Sequence, residues 1–496
     1  MKNLSKFYGR TGYQIFVDRF YRSENYSARP IDGRINRDWN NSTVIWEPEV
    51  DGIFRNREFY GGNLRGIIEK LDYLEELGIN LIILTPISKT ASNHHYDVED
   101  QRKIDPYIGT ATDFEELCRK AHEKGMLIIN DLVFNHFGIQ CQYFKEAMQG
   151  NPLYYDWIKR DEHGNYKYWY VFKNMPEANQ FSEGYIEYVK SVVESYLKRG
   201  SDGFRLDLGE NLEPYFINKI REHAEMINPE CLIVNERWEF ANDQEGKYYY
   251  DLSDTIMNYP FADANIRWVR YGNYLHFDYT MSRIDKYPLS VKLLLWNMID
   301  SHDTIRSMTM LGGKGMEGDP LKNSRQWNIE GPWHSLDGTF DTYAFRKWEY
   351  ENDNFYSQET VRRLIIASTI QYLVVGNPVT FYGTEVGLSG YKDPFNRKPF
   401  PWDNMNPMLF EHYKKLGQIR RDNQAIFKTV NQDINENADF MKIERWSDEE
   451  DKIIAIINRS KESVPIDIPV FGHILYSFGE YDQNTLYGNS FIICKF

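Results

Sequence analysis

Residues 63–86 read NLRGIIEKLDYLEELGINLIILTP. Leu64, Ile67, Ile68, Leu71, Leu74 and Leu77 recur every three or four positions, which places them on one stripe of a helix. Gly78 follows as a residue free to take the left-handed backbone that ends a helix. NLIILTP (80–86) is then a near-continuous apolar run of strand length, suited to a parallel strand covered on its outer face. Comparable runs occur at YQIFVDRF (13–20), MLIINDLV (126–133), DGFRLDLG (202–209), CLIVNERW (231–238), DTIMNYPF (254–261), LLLWNMID (293–300) and NPVTFYGTE (377–385). Helical stretches separate them. In TATDFEELCRKAHEKG (110–125), Thr112 and Glu115 have capping-box spacing and Gly125 marks the stop. Eight strands with intervening helices predict an α/β fold, the (β/α)8 TIM barrel. A doubly wound sheet gives the same local pattern, so periodicity alone leaves both open.

Three segments break the alternation. Residues 138–184, after the third strand, are too long and aromatic for a simple loop and read as a small inserted domain. Residues 304–358 form a long insert after the seventh strand, carrying Trp327, Trp333, His334, Phe340, Tyr343, Phe345 and Trp348. Beyond 428, stretches such as KIIAIINRS and SVPIDIPV suit a small antiparallel β domain. The expected division is a barrel over 1–137 and 185–427, an inserted domain B over 138–184 and a C-terminal β-sandwich over 428–496.

The chain has 496 residues and a formal net charge of −15, which argues against nucleic acid and anionic membrane surfaces as partners. No apolar run approaches the ~20 residues that span a bilayer. Cys118, Cys141, Cys231 and Cys494 are scattered without CxxC spacing, so neither a zinc site nor a disulfide framework is expected. The opening residues carry no long apolar core or cleavage site, and the default expectation is a cytoplasmic protein. Aromatic residues make up 16% of the chain. Sugar rings stack on such side chains, although genome composition explains the usage equally well.

In a barrel, functional groups gather at the C-terminal ends of the strands. Asp131, Asp207, Glu236 and Asp303 follow the third, fourth, fifth and seventh strands. Each alone reads as a surface acid or a helix cap; their common position at one barrel face favours chemistry. Arg205 and Asp207 are two apart on a strand, so they project to the same side, and a neighbouring guanidinium favours an ionised carboxylate, as a nucleophile requires. A structural ion pair is the plainer alternative.

The strings DLVFNH (131–136), GFRLDLGEN (203–211), VNERW (234–238) and IDSHDT (299–304) resemble the four conserved segments of glycoside hydrolase family 13, the α-amylase family. YGGNLRGI (60–67), NMPEANQ (174–180) and GNPVTFYGTEVGL (376–388) match supporting segments, in family order. The resemblance implies that Asp207 is the nucleophile, Glu236 the acid/base and Asp303 the third carboxylate, which binds sugar hydroxyls. It implies that His136, His302 and Arg205 serve the −1 subsite, that Tyr96 stacks on that sugar with support from Asp97, and that Asp131 belongs to the same substrate-binding set. Asp393 and Arg397 resemble a pair at −2. The implied activity is hydrolysis of α-1,4-glucosidic bonds in maltodextrins by double displacement, with the two carboxyl groups ~5–5.5 Å apart and the pKa of Glu236 above that of Asp207.

No cofactor is needed for that chemistry. Asn211 replaces the histidine whose carbonyl helps hold calcium in many α-amylases, while Asn135 remains, so a structural calcium is left open. MPEAN is nearest the neopullulanase and cyclomaltodextrinase group, but with the first strand near Tyr13 the N-terminal β domain typical of that group is not expected here. Leu208-Gly209-Glu210-Asn211 also departs from the usual Val-Ala-Asn-Glu, which leaves bond preference open. The alternatives are a glucanotransferase or an α-1,6-active enzyme using the same site, a non-catalytic carbohydrate-binding protein, and an isomerase with a phosphate loop at Gly312, Gly313 and Gly315. The intact acid set and the place of those glycines in a long insert weigh against the last two. The insert itself is expected either to offer plus-side sugars a stacking platform or to pack on the barrel's flank.

Overall fold

The structure, a computed structural model, describes residues 2–26, 33–40, 43–47, 55–170, 172–242, 252–313, 342–353, 356–449, 451–466 and 472–496. Eight short strands make one parallel sheet: β1 (Gly12–Ile15), β2 (Leu81–Leu84), β3 (Leu127–Leu132), β4 (Gly203–Leu206), β5 (Leu232–Asn235), β6 (Thr255–Ile256), β7 (Trp296–Asn297) and β8 (Asn377–Phe381). Neighbours in space follow chain order from β1 to β6, β8 pairs with both β1 and β7, and a parallel bridge from Met257 to Trp296 joins β6 to β7. The sheet therefore closes into a TIM barrel. A doubly wound sheet would reverse its strand order at a switch point, and none occurs here.

Alternation along each strand divides the side chains between two cores. Ile83, Ile129, Val234, Trp296 and Val379 fill the barrel interior above Leu4 and Phe7. Ile82, Ile128, Phe204, Leu206 and Ile233 face the surrounding helices as part of the main core. On β4 this parity turns Phe204 and Leu206 outward and leaves Arg205, buried without exposure, for the interior.

Several boundaries differ from the sequence reading. The run at 13–20 is strand only to Ile15, and Val17–Phe20 is a helical turn. The run at 254–261 gives two strand residues before a helix opens at Tyr259, with proline in its first turn. The stripe over 64–77 is two short helices, Leu64–Glu69 and Leu71–Glu76, and Gly78 closes the second at φ 75°. The helix Ala111–Glu123 begins two residues earlier than a cap at Thr112 would start it. Thr110 and Asp113 form the reciprocal box, since both pairs have the right spacing but only Thr110 has extended backbone before the first turn.

Between β3 and the helix Glu183–Lys198, residues 138–182 hold the helix Gln142–Met148, the turn Tyr155–Trp157 and short bridges from Ile158 to Ala178 and Tyr168 to Pro176. At the C-terminus a five-stranded antiparallel sheet runs from Gln432 to Lys495. Its strand Lys452–Asn458 turns Ile453, Ala455 and Ile457 toward the main core, while Ile454 and Ile456 pack beneath the two-stranded ribbon of Val464–Pro465 and Thr485–Leu486. Among the described residues no helix is long and apolar enough to cross a membrane.

Candidate active site

Arg205 is the centre of a charge cluster at the open end of the barrel. Its Nη1 donates to Asp131 Oδ1 and Oδ2 at 2.9 and 2.7 Å and to Asp207 Oδ1 at 2.9 Å. Its Nη2 lies 2.9 Å from Glu236 Oε2 and 3.8 Å from Asp303 Oδ2. Four carboxylates from the ends of β3, β4, β5 and β7 therefore meet on one guanidinium.

Each acid has its own fixing contacts. Leu208 N–H donates to Glu236 Oε2 at 2.8 Å, and the indole N–H of Trp238 donates to Glu236 Oε1 at 3.1 Å. Leu208 sits in left-handed backbone, φ 49°, a conformation sparsely used by branched residues and common at functional sites. Trp238 lies flat on Tyr259, with ring centroids 3.9 Å apart. Asp303 Oδ2 is 3.0 Å from His302 Nε2, and Asp303 Oδ1 is 3.5 Å from Arg397 Nη2. Gln14, on β1, presents its amide nitrogen to His302 Nδ1 at 3.1 Å. An amide nitrogen only donates, so the imidazole proton is on Nε2, which contacts the Tyr96 hydroxyl.

Around the acids stand the rest of the expected set. Tyr96 donates its hydroxyl to Asp131 Oδ2 at 2.8 Å and also contacts His302 Nε2. His136 donates to the Tyr96 carbonyl at 3.0 Å and stacks on Trp169 at 5.8 Å. Arg397 Nη1 is 3.2 Å from Asp393 Oδ1, and its Nε donates to the His302 carbonyl.

The family model "Alpha amylase, catalytic domain" matches residues 14–465. The chain belongs to the α-amylase family. It is 31% identical over 424 residues to neopullulanase 2 of Thermoactinomyces vulgaris, which covers 82% of this chain and 62% of that protein. It is 28% identical to a cyclomaltodextrinase of Geobacillus thermopakistaniensis, over 97% of this chain and 73% of the relative. With an amylopullulanase of Thermoanaerobacterium saccharolyticum, 30% identical, it shares 34% of the relative's length. It thus spans less than two thirds of several relatives it matches. Among solved structures, the type III pullulan hydrolase from Thermococcus kodakarensis superposes with a TM-score of 0.79 at 24% identity, covering 99% of this chain and 82% of that one. That likeness is one of fold.

Within this α-amylase-family barrel, two of the expected residues are engaged by other protein groups. Asp131 is buried beneath Arg205 and holds it. Asp97 accepts hydrogen bonds from the hydroxyls of Thr90 and Ser92, so it braces the loop that carries Tyr96. The electrostatics also differ from the expectation for Asp207. Burial, together with Glu236, Asp131 and Asp303, outweighs Arg205 and holds Asp207 well above the ordinary carboxylate range. The sequence shows one arginine beside one aspartate, whereas the fold makes that arginine serve four acids. Burial likewise raises Asp303 to about 7 and Asp131 to about 6. These acids therefore titrate as interacting sites above the ordinary carboxylate range. His136 is lowered to about 4, and His302 further, both chiefly by burial, so both rings are neutral.

Of the insert at 304–358, residues 314–341 lie outside the described residues, and so do the side chains of Tyr343 and Phe345. Trp327, Trp333, His334 and Phe340 fall there too. The helix Thr342–Asn352 packs Trp348 against Tyr391 at 5.3 Å, in a small core with Val44 and Phe395. This part of the insert braces the loop bearing Asp393 and Arg397, the minus-side pair of the resemblance. Gln14, Trp169, Trp238 and the Leu208 amide are the site residues that sequence reasoning missed.

Proposed function

We propose that the protein is a retaining α-glucan hydrolase that cleaves α-1,4-glucosidic bonds of maltodextrins. The observation that carries this reading is the convergence of Asp207, Glu236 and Asp303 on Arg205 at the open end of a closed barrel. Asp207 attacks the anomeric carbon while Glu236 gives its proton to the glycosidic oxygen, so the C–O bond to the leaving sugar breaks as the glycosyl ester forms. Glu236, now a carboxylate, takes a proton from water. The resulting hydroxide displaces Asp207, and the second inversion restores the α configuration. Leu208 N–H and the Trp238 indole fix both oxygens of Glu236 through both steps, as proton transfer at one stated oxygen demands.

Asp303, beside His302, accepts hydrogen bonds from hydroxyls of the distorted sugar. Tyr96 and His136 wall that subsite with apolar ring surface and neutral edges. The chemistry runs on carboxylates alone. Proton NMR of maltohexaose cleavage tests the reading: α-anomers should appear first, before mutarotation. Initial β-anomers would contradict a covalent glycosyl-enzyme.

A second reading has its own support. Neopullulanase and amylopullulanase are among the named relatives, so an α-1,6-active or transferring enzyme using this same site is the alternative. A product profile on pullulan and on maltotriose separates the two: maltotriose released from pullulan, or maltohexaose built from maltotriose, would favour it, whereas panose or isopanose from pullulan would mark α-1,4 cleavage.

A further inference from the structure

The resemblance implies a place for calcium between the end of β3 and the loop after β4. The donor set found there does not suit that ion. Gln180 is 5% exposed, and its Nε2 donates to the Asn211 carbonyl at 3.2 Å and to Asn135 Oδ1 at 3.4 Å. Its Oε1 accepts the backbone N–H of Glu213 at 2.6 Å. That last bond fixes which way the amide points. Exchanging oxygen and nitrogen would set the –NH2 against the Glu213 N–H and a carbonyl oxygen against two other oxygens. The positive end of the amide dipole thus already lies between the two oxygens that a cation would bridge. Calcium requires six to eight oxygens at about 2.3–2.6 Å, and here a donor nitrogen fills the gap. Among the described residues, no group of three histidines, cysteines or acids is placed to hold a metal ion.

We propose that the Gln180 amide replaces a structural calcium in this chain and acts as a positioning residue for the loop after the nucleophile strand. Gln180 comes from the segment that closes the excursion after β3, just ahead of Ser182, the cap of the next helix. It ties Asn135, just past the end of β3, to the last residue of the turn Gly209–Asn211 and to Glu213 beyond it. That turn starts immediately after Leu208, whose N–H holds Glu236 Oε2. Fixing Asn211 and Glu213 therefore fixes the backbone donor that orients the acid. Gly209 has little room to move, since a Cβ there would meet Asn235 at 2.9 Å. A loosened turn would carry the Leu208 donor away from Glu236. The catalytic part of this inference rests on the role proposed above for Glu236; the calcium part does not.

The test uses the full chain and three variants measured after EDTA dialysis, with and without added CaCl2. Wild-type Tm and kcat on maltohexaose should be the same in EDTA and in ~5 mM calcium. Gln180→Ala should lower kcat about tenfold with KM nearly unchanged, because a misaligned acid slows proton transfer without removing sugar contacts. Gln180→Glu keeps an acceptor for Glu213 but turns its second oxygen onto Asn135 and Asn211. It should be destabilised in EDTA and recover both Tm and kcat with calcium, which converts an amide-bridged site into an ion-bridged one. Gln180→Met, apolar and of similar length, should lose kcat with no calcium response. A wild-type enzyme that loses Tm in EDTA and regains it with calcium would overturn the proposal. So would a Gln180→Glu variant that matches wild type in EDTA and ignores calcium. Should Gln180→Ala fail to fold, Gln180→Glu with calcium still decides. If wild type proves inactive on maltodextrin, the functional reading fails, while the Tm arms still report on the amide.

Discussion

Arg205 carries one positive charge and faces four carboxylates, so replacing the arginine and replacing an acid should have opposite effects on stability. Arg205→Met leaves buried acids unpaired, and loss of one partner of a buried ion cluster costs ~3–5 kcal/mol. Asp303 behaves otherwise. Its native carboxyl holds a proton up to about pH 7, whereas an unfolded aspartate releases it near 3.9. The folded form binds more protons across that window, so this group's contribution to stability falls as pH rises through it. Asp303→Asn removes the penalty. Calorimetry should show Tm raised by a few degrees, ~2–4 °C per kcal/mol in large domains, at pH 7.5 and by roughly a third as much at pH 5. The carboxyl is 26% exposed toward the cleft, which keeps the effect modest. Equal shifts at both pH values would contradict the buried-charge account. The same substitution should abolish most turnover, and Asp207→Asn and Glu236→Gln should each cut kcat at least about a thousandfold with the fold intact by circular dichroism. A folded Asp207→Asn variant with near-normal turnover would remove it as nucleophile. At this scale the charged residues were legible, because acids ending several strands of one barrel have few structural uses. Gln14, Trp238 and Gln180 were not. A neutral amide or an indole shows its role only when the partner it bonds, hundreds of residues away in some cases, is in place.

Helix ends and strand ends follow from local rules that sequence states ambiguously. The segment TATDFEE offers two capping boxes, at Thr110 and at Thr112, and composition does not choose between them. The chain does, because Thr110 follows Gly109, which sits against Leu64 with no room for a Cβ, and that close approach sets the entry to the helix. Thr110→Ala should cost ~1 kcal/mol in urea unfolding, whereas Thr112→Ala should change stability by well under half that. The reverse ranking would place the cap where the sequence reading had it. The apolar runs marked all eight strands but overshot their ends, since a run continues through the first turn of the next helix when both face the same core. The late insert shows the same limit. Its aromatic content signalled a packed element, but which side of the cleft it serves is decided by Trp348 meeting Tyr391 and Phe395. Trp348→Ala should therefore loosen the Asp393–Arg397 loop. Steady-state kinetics on maltohexaose should show KM raised several-fold, about 1 kcal/mol, with kcat little changed. A changed plus-side product pattern at constant KM would assign the helix to the other end of the cleft.

The C-terminal sheet is joined to the barrel by a buried cation that has carbonyls, not acids, for partners. Arg445 donates to the carbonyls of Leu373, Ile426, Thr429 and Asn431, from 2.8 to 3.2 Å. Burial lowers it to about 9, and no carboxylate opposes the shift. Nearby, Arg420 binds the carbonyls of Tyr372 and Gly376, with burial and Arg445 lowering it likewise to about 9. His412, kept neutral by burial, bridges Ser368 on the barrel to Tyr476 on the sheet. Arg445 and Arg420 close the C-terminal ends of helices, where unsatisfied carbonyls carry the negative end of the helix dipole. The sheet therefore does more than cover apolar surface: it supplies the cation that satisfies backbone groups of the barrel. Met441, Ile443 and Phe491 continue the barrel's own core across the same boundary. Two units joined this way should unfold together. Differential scanning calorimetry of the wild type should give one cooperative transition for barrel and sheet. Arg445→Met preserves side-chain length and apolar contact but takes a donor from four carbonyls, of which, among the described residues, only that of Ile426 keeps the Thr429 donors, and a carbonyl left buried and unpaired costs ~1–3 kcal/mol. It should lower Tm by several degrees and split the transition, with the sheet melting first while the anomeric outcome of catalysis stays the same. A single transition at wild-type Tm in Arg445→Met would show that apolar packing alone couples the two units.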